Sequence, residues 1–156
     1  MLELTISGFD RLRLEHLVLD YNGTLACDGL PLSGTRERVH QLSCNLNVFV
    51  ITADTFGQVN DIMADWNCRL KLLSTEDQAQ EKLAFIDELD RGACACLGNG
   101  RNDRLMLQAA GLGVAVMLQE GIASETLHNA DIMVPGILPA LDLLLRPQRL
   151  KASLRS

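Results

Sequence analysis

The stretch His16-Leu17-Val18-Leu19-Asp20-Tyr21-Asn22-Gly23-Thr24-Leu25 decides how this chain folds. Leu17-Val18-Leu19 is a short apolar run that stops at a carboxylate. Continuous runs of this length are strands buried on both faces, as in a parallel sheet. Asn22-Gly23-Thr24 are turn formers, so Asp20 falls where the strand stops. Ligands of open α/β sheets bind at the carboxyl ends of strands. Asp20 is therefore a candidate nucleophile or metal ligand, and Gly23 would let backbone approach a ligand closely. The alternative is an aspartate that only begins a turn and caps nearby amides.

The remaining chain repeats the pattern. Residues 2–6 and 11–19, either side of Ser7-Gly8-Phe9-Asp10, predict a hairpin leading into the central strand. Residues 21–33 hold Gly23, Gly29 and Pro31 and predict a loop or small flap over the strand end. Helices are expected at 34–44, 55–66, 76–89, 103–110, 124–129 and 137–145. The 76–89 helix is expected to turn Leu83, Phe85, Ile86 and Leu89 to the core. Strands are expected at 46–52, 70–73, 93–97, 114–116 and 132–134, and residues 146–156 form a basic tail, helical after Pro147. Strands alternating with helices predict one doubly wound, three-layer Rossmann-like α/β domain over residues 1–156, its sheet mostly parallel. Three strands then end in polar residues suited to phosphate chemistry: Asp20, Thr52, and the loop Gly98-Asn99-Gly100-Arg101-Asn102-Asp103. Parallel packing would bring these ends to one edge.

Composition narrows the function classes. The 156 residues are 47% apolar and 22% charged, with 4% aromatics, so Leu, Val, Ile and Ala fill the core. A net charge of −6 without a long basic run argues against nucleic acid as a partner. No apolar stretch approaches a membrane span, and Met1-Leu2-Glu3-Leu4 lacks signal-peptide character, so a cytoplasmic protein is expected. The five cysteines, an odd number without zinc-ligand spacing, fit a reduced compartment. Cys94 and Cys96 should face one side of a strand as small hydrophobes. His16, His40 and His128 share no spacing and are expected to be structural.

This set of strand ends resembles the haloacid dehalogenase (HAD) superfamily of aspartate-nucleophile phosphotransferases. Asp20-Tyr21-Asn22-Gly23-Thr24 is similar to its first motif and Ile51-Thr52-Ala53-Asp54 to its second. Lys82 is similar to the third, with Lys71 a rival, and Gly98–Asp103 to the fourth. Within the superfamily the likeness is to the phosphorylation domain of P-type ATPases and its soluble relatives, and Ala130-Asp131-Ile132-Met133-Val134 adds to it. The resemblance implies a phosphohydrolase working through an aspartyl phosphate on Asp20. Asp20, Tyr21, Asn22, Thr52, Ala53, Lys82 and Asn102 would surround the phosphoryl group. Asp20, the Asn22 carbonyl, Asn99 and Asp103 would hold Mg²⁺, directly or through water. Thr52 would donate to a phosphoryl oxygen and Lys82 would balance charge.

Two departures qualify the activity. Phosphatases of the superfamily carry a general acid and base two residues after the nucleophile, where this chain has Asn22. General acid–base catalysis is worth about 10² to 10⁴ in rate. Asn99 replaces the first carboxylate of the fourth motif with a weaker, neutral ligand. The expectation is a slow hydrolase, with a phosphate- or metal-binding scaffold as the alternative. Dehalogenation of an organic acid is disfavoured because neither residues 21–51 nor 83–97 leave room for a cap. The substrate would be a phosphorylated small molecule or macromolecule. Capless members of the superfamily assemble or act on large substrates, so a dimer or tetramer is expected.

Overall fold

In the computed structural model, residues 1–9, 11–53, 58–74 and 76–156 are described. Their centre is a six-stranded parallel sheet. Its strands, in chain order, are β3 (His16–Asp20), β6 (Asn47–Thr52), β7 (Arg69–Leu72), β8 (Cys94–Gly98), β9 (Leu112–Val116) and β10 (Ile132–Val134). Their spatial order is β10-β9-β8-β3-β6-β7, every pairing parallel. β3 lies between β6 and β8, with Asp20 opposite Ile51 and Leu19 opposite Leu97. The three polar strand ends expected from the sequence are thus neighbours.

Two small antiparallel hairpins stand outside this sheet. β1 (Leu2–Thr5) pairs with β2 (Arg11–Leu14) at the amino terminus. β4 (Ala26–Cys27) pairs with β5 (Leu30–Pro31) inside the expected flap. Asp28 and Gly29 both have positive φ, 51° and 79°. That is the backbone a two-residue turn of primed type requires, so a tight hairpin forms where the sequence showed only turn formers.

Strand pleating sorts side chains between two cores. Leu17, Leu19, Val48, Val50, Ala95 and Leu97 share the larger one. Helices α1 (Thr35–Ser43), α2 (Val59–Met63), α6 (Ile137–Leu145) and α7 (Pro147–Leu154) add to it. Val18, Phe49, Ile51, Cys94 and Cys96 point the other way, towards α3 (Gln78–Glu88) and α4 (Arg104–Ala109). The two cysteines do share one face, and burial pushes the Cys94 thiol up to about 12. A short 3₁₀ turn (Arg91–Ala93) precedes β8, and another (Arg101–Asp103) leads into α4. α5 (Ser124–His128) lies between β9 and β10.

Two expectations shift. The described part of the 55–66 helix is only Val59–Met63, and its expected start at Thr55 falls outside the described residues. The buried stripe of α3 is Ala79, Lys82 and Ile86, with Leu83, Phe85 and Leu89 only partly covered. A lysine therefore occupies a core position of that helix. No cap domain stands among the described residues: between β3 and β6 there are only the flap hairpin and α1.

Candidate active site

Asp20 is the last residue of β3, two positions after Val18, so it shares Val18's face of the sheet, the face that α3 covers. Lys82 reaches it from the middle of α3. Its Nζ donates to Asp20 Oδ1 at 2.7 Å and to Asp103 Oδ1 at 2.6 Å, and the lysine side chain is 1% exposed. The rival Lys71 is exposed and lies over the Phe85 ring, whereas Lys82 is the lysine bonded to Asp20. Burial alone would push the Lys82 ammonium towards neutrality, but the two carboxylates outweigh it and hold it charged. Burial and then the neighbouring Asp103 push Asp20 up to about 6, against the pull of Lys82 and Thr24.

Asp103 is fully committed. Its Oδ2 accepts the backbone N–H groups of Asn99 and Gly100, each at 2.9 Å, while Oδ1 takes the lysine. It closes the Gly98–Asp103 loop and anchors Lys82 at once. Gly98 is required there, because a Cβ would lie 2.5 Å from Asp103 Cγ.

The other side of Asp20 is an oxygen cluster. Thr24, wholly buried, places its Oγ1 3.0 Å from Asp20 Oδ2 and 3.2 Å from Asn99 Oδ1. One hydroxyl proton serves only one of these two acceptors. Elsewhere in the same turn, Asn22 Oδ1 is buried with no hydrogen-bond partner among the described residues. A cluster of oxygens short of protons, with one carboxylate among them, has the chemistry of a hard-cation site. The residues present therefore fit a hard divalent cation, with Asp20 and Asn99 the side chains that would hold it.

The remaining expected residues fall around this centre. Thr52 ends β6 beside β3, buried, and Ala53 follows it half-buried. Asn102 donates to Gln78 Oε1 at 2.7 Å, tying the loop to the helix that carries Lys82. The Tyr21 hydroxyl donates to Gly29 O at 3.0 Å, so this side chain pins the flap tip. Asp54 lies outside the described residues. Thr24 and the segment after β9 were not singled out from sequence as site residues. The signal available was Thr24's place four residues after Asp20. Nothing local marks the second, since its contacts with Asn99 span 22 to 24 residues.

With this geometry in place, similarity to known proteins bears on the fold. No family model matches the chain. A putative HAD hydrolase (subfamily III A) of Legionella pneumophila superposes with a TM-score of 0.69 at 21% identity, over 91% of this chain and 87% of that one. The 3-deoxy-D-manno-octulosonate 8-phosphate phosphatase of Moraxella catarrhalis, solved with magnesium, phosphate and sugar acid, gives 0.66 at 15% identity, over 90% and 91%. The catalytic domain of the CPx-ATPase CopB-B gives 0.56 at 20% identity, over 78% of this chain and 46% of that one. The fold is that of the HAD superfamily, without a cap among the described residues. Nearer in sequence is an uncharacterised protein of Methanocaldococcus jannaschii, MJ0073, 44% identical over 78 residues, which are 47% of this chain and 84% of that one. This chain belongs to the family of that archaeal protein.

Proposed function

We propose that the protein is a Mg²⁺-dependent phosphohydrolase of HAD type that works through an aspartyl phosphate on Asp20. The observation that carries this reading is the buried Lys82 bound to both Asp20 and Asp103 at the carboxyl edge of the sheet. Burying such a group is a poor way to gain stability, since desolvation offsets most of the attraction. A binding scaffold would gain nothing from it, whereas phosphoryl transfer uses an aimed carboxylate and a fixed positive charge. The phosphatase of Moraxella catarrhalis, with magnesium and phosphate bound in the same fold, supports the reading.

An Asp20 carboxylate oxygen would form the new bond to phosphorus as the bond from phosphorus to the leaving oxygen breaks. Lys82, held protonated, would balance negative charge on the nucleophile and the phosphoryl oxygens. Thr52 would donate its hydroxyl to one of those oxygens. Bound Mg²⁺ would supply further charge neutralisation. Asn22 can donate a hydrogen bond from its amide to the leaving oxygen but cannot transfer a proton. Groups that leave readily as anions, such as acyl, anhydride or aryl phosphates, would therefore be favoured. Without a base at residue 22, hydrolysis of the aspartyl phosphate would be slow.

Beryllium trifluoride with Mg²⁺ mimics the phosphorylated aspartate and should raise the melting temperature by mass action. Asp20→Asn should lose this shift together with all turnover of acetyl phosphate and para-nitrophenyl phosphate. An Asp20→Asn protein that hydrolyses either substrate at the wild-type rate would refute the assignment.

A further inference from the structure

Three of the four polar atoms of Asn99 are gripped by two segments. Its backbone N–H reaches Asp103, and its backbone carbonyl accepts from Ala123 N at 2.9 Å. Its side-chain Nδ2 donates to Gly121 O at 3.1 Å, which turns Oδ1 towards Thr24, whose hydroxyl also lies 3.0 Å from Asp20 Oδ2. The next residue is held too: Gly100 O accepts from Thr126 Oγ1 at 2.6 Å, and Thr126 is wholly buried in α5. On the surface, Arg101 and Arg104 pair with Glu125, but exposed pairs of this kind fix little. The buried Thr126 contact is the firm one.

We propose that residues 121–126 form the positioning element of the oxygen cluster. They seat Asn99 as an amide with its carbonyl towards Asp20, and Thr126 is the positioning residue that holds the seat. This rests on reading the cluster as a cation site. The seat is specific for an amide because Gly121 O needs a donor opposite it. An aspartate at 99 would set a carboxylate oxygen against that carbonyl, acceptor against acceptor. Asn99 is then a fitted ligand, and adding charge at this position displaces the loop it was meant to strengthen.

The test reads metal binding without turnover. Mn²⁺ takes oxygen ligands as Mg²⁺ does and is counted directly by electron paramagnetic resonance. Thr126→Val removes the hydroxyl at constant shape, and Gly100 O keeps a second donor, Asp103 N at 2.9 Å, so the variant should fold. Its Mn²⁺ affinity should fall about tenfold, as loss of a group that orients a metal ligand does, and Thr126→Ser should restore it. Asn99→Asp should bind Mn²⁺ no more tightly than wild type despite its extra charge. Wild-type affinity in Thr126→Val with a lowered metal-free melting temperature would show a merely structural threonine and overturn the proposal. Clear tightening in Asn99→Asp would overturn it as well, and that variant decides the matter alone should Thr126→Val not fold. A wild type that binds no Mn²⁺ overturns it outright. Thr126-dependent binding in a protein with no turnover would instead refute the hydrolase reading and leave this one standing.

Discussion

Replacing Lys82 by Met tests the centre of the site. The ammonium lies 2.7 Å from Asp20 and 2.6 Å from Asp103, and all three side chains are almost wholly buried. Methionine fills similar volume but leaves two carboxylates facing each other with no cation. Removing one partner of a buried ion pair costs about 3–5 kcal/mol, because the remaining charge is stranded. In a chain of this size that corresponds to a melting temperature lower by roughly 10 °C. The loss must depend on pH. Asp20 stands at about 6 even with the lysine present, since burial and Asp103 raise it. Without Lys82 those two causes act with less opposition. A carboxyl raised in the folded state contributes most at low pH, and that contribution is lost as pH rises through the folded value. Urea unfolding in a chelator should therefore show a small deficit near pH 5 and the full deficit near pH 8. Adding Asp20→Asn to Lys82→Met should recover much of it. An equal deficit at both pH values, or one below about 1 kcal/mol, would refute the account of a charge-neutralising lysine.

Three further outcomes follow from the same geometry. Without metal, Asp20→Asn should gain on wild type as pH rises from about 4 to about 6, by about 3 kcal/mol, because wild-type Asp20 gives up a favoured proton across that window; parallel unfolding curves would contradict this. Thr24→Val should cost about 1–3 kcal/mol without metal, since whichever of Asp20 Oδ2 and Asn99 Oδ1 takes the hydroxyl proton loses its donor. Mg²⁺ should raise the melting temperature of that variant more than it raises wild type's. Asn22→Asp should speed hydrolysis of an alkyl phosphate by up to about 10²-fold while changing para-nitrophenyl phosphate little, because only the first leaving group needs a proton; equal effects on both would remove residue 22 from the proton path.

What the sequence made legible followed from short-range pattern. The apolar runs 17–19, 48–51 and 94–97 became neighbouring parallel strands, and their polar ends met. The face of α3 was harder to read. Counting apolar residues favoured Leu83, Phe85, Ile86 and Leu89; of these Ile86 is buried, in a stripe that runs Ala79, Lys82, Ile86 at intervals of three and four. The lysine sits inward because two carboxylates from other elements wait there, which no helical pattern records. Thr24 and Thr126 were missed for a related reason. Each acts through a partner brought near by the sheet, 75 residues away for Thr24 and Asn99, 26 for Thr126 and Gly100. The flap hairpin was visible only as a set of turn formers, since its two strands are two residues each.

The two asparagines look alike in sequence and differ in the fold. Asn99 spends its amide nitrogen on Gly121 O, so it is seated as an amide. Asn22 keeps a buried oxygen with no hydrogen-bond partner among the described residues, and none of those residues fixes it as an amide in the way Gly121 O fixes Asn99. The difference bears on charge. Asp20, Lys82 and Asp103 carry one net negative charge between them, where an aspartate at 99 would make it two. With a divalent cation added, the site would stand at one net positive charge. In the proposed reaction, that balance would favour holding a dianionic phosphoryl group and disfavour releasing it from Asp20. A neutral residue 22 acts in the same sense, since it offers no base to activate water. On the proposed mechanism, Asn99 and Asn22 both make forming the aspartyl phosphate easier than breaking it.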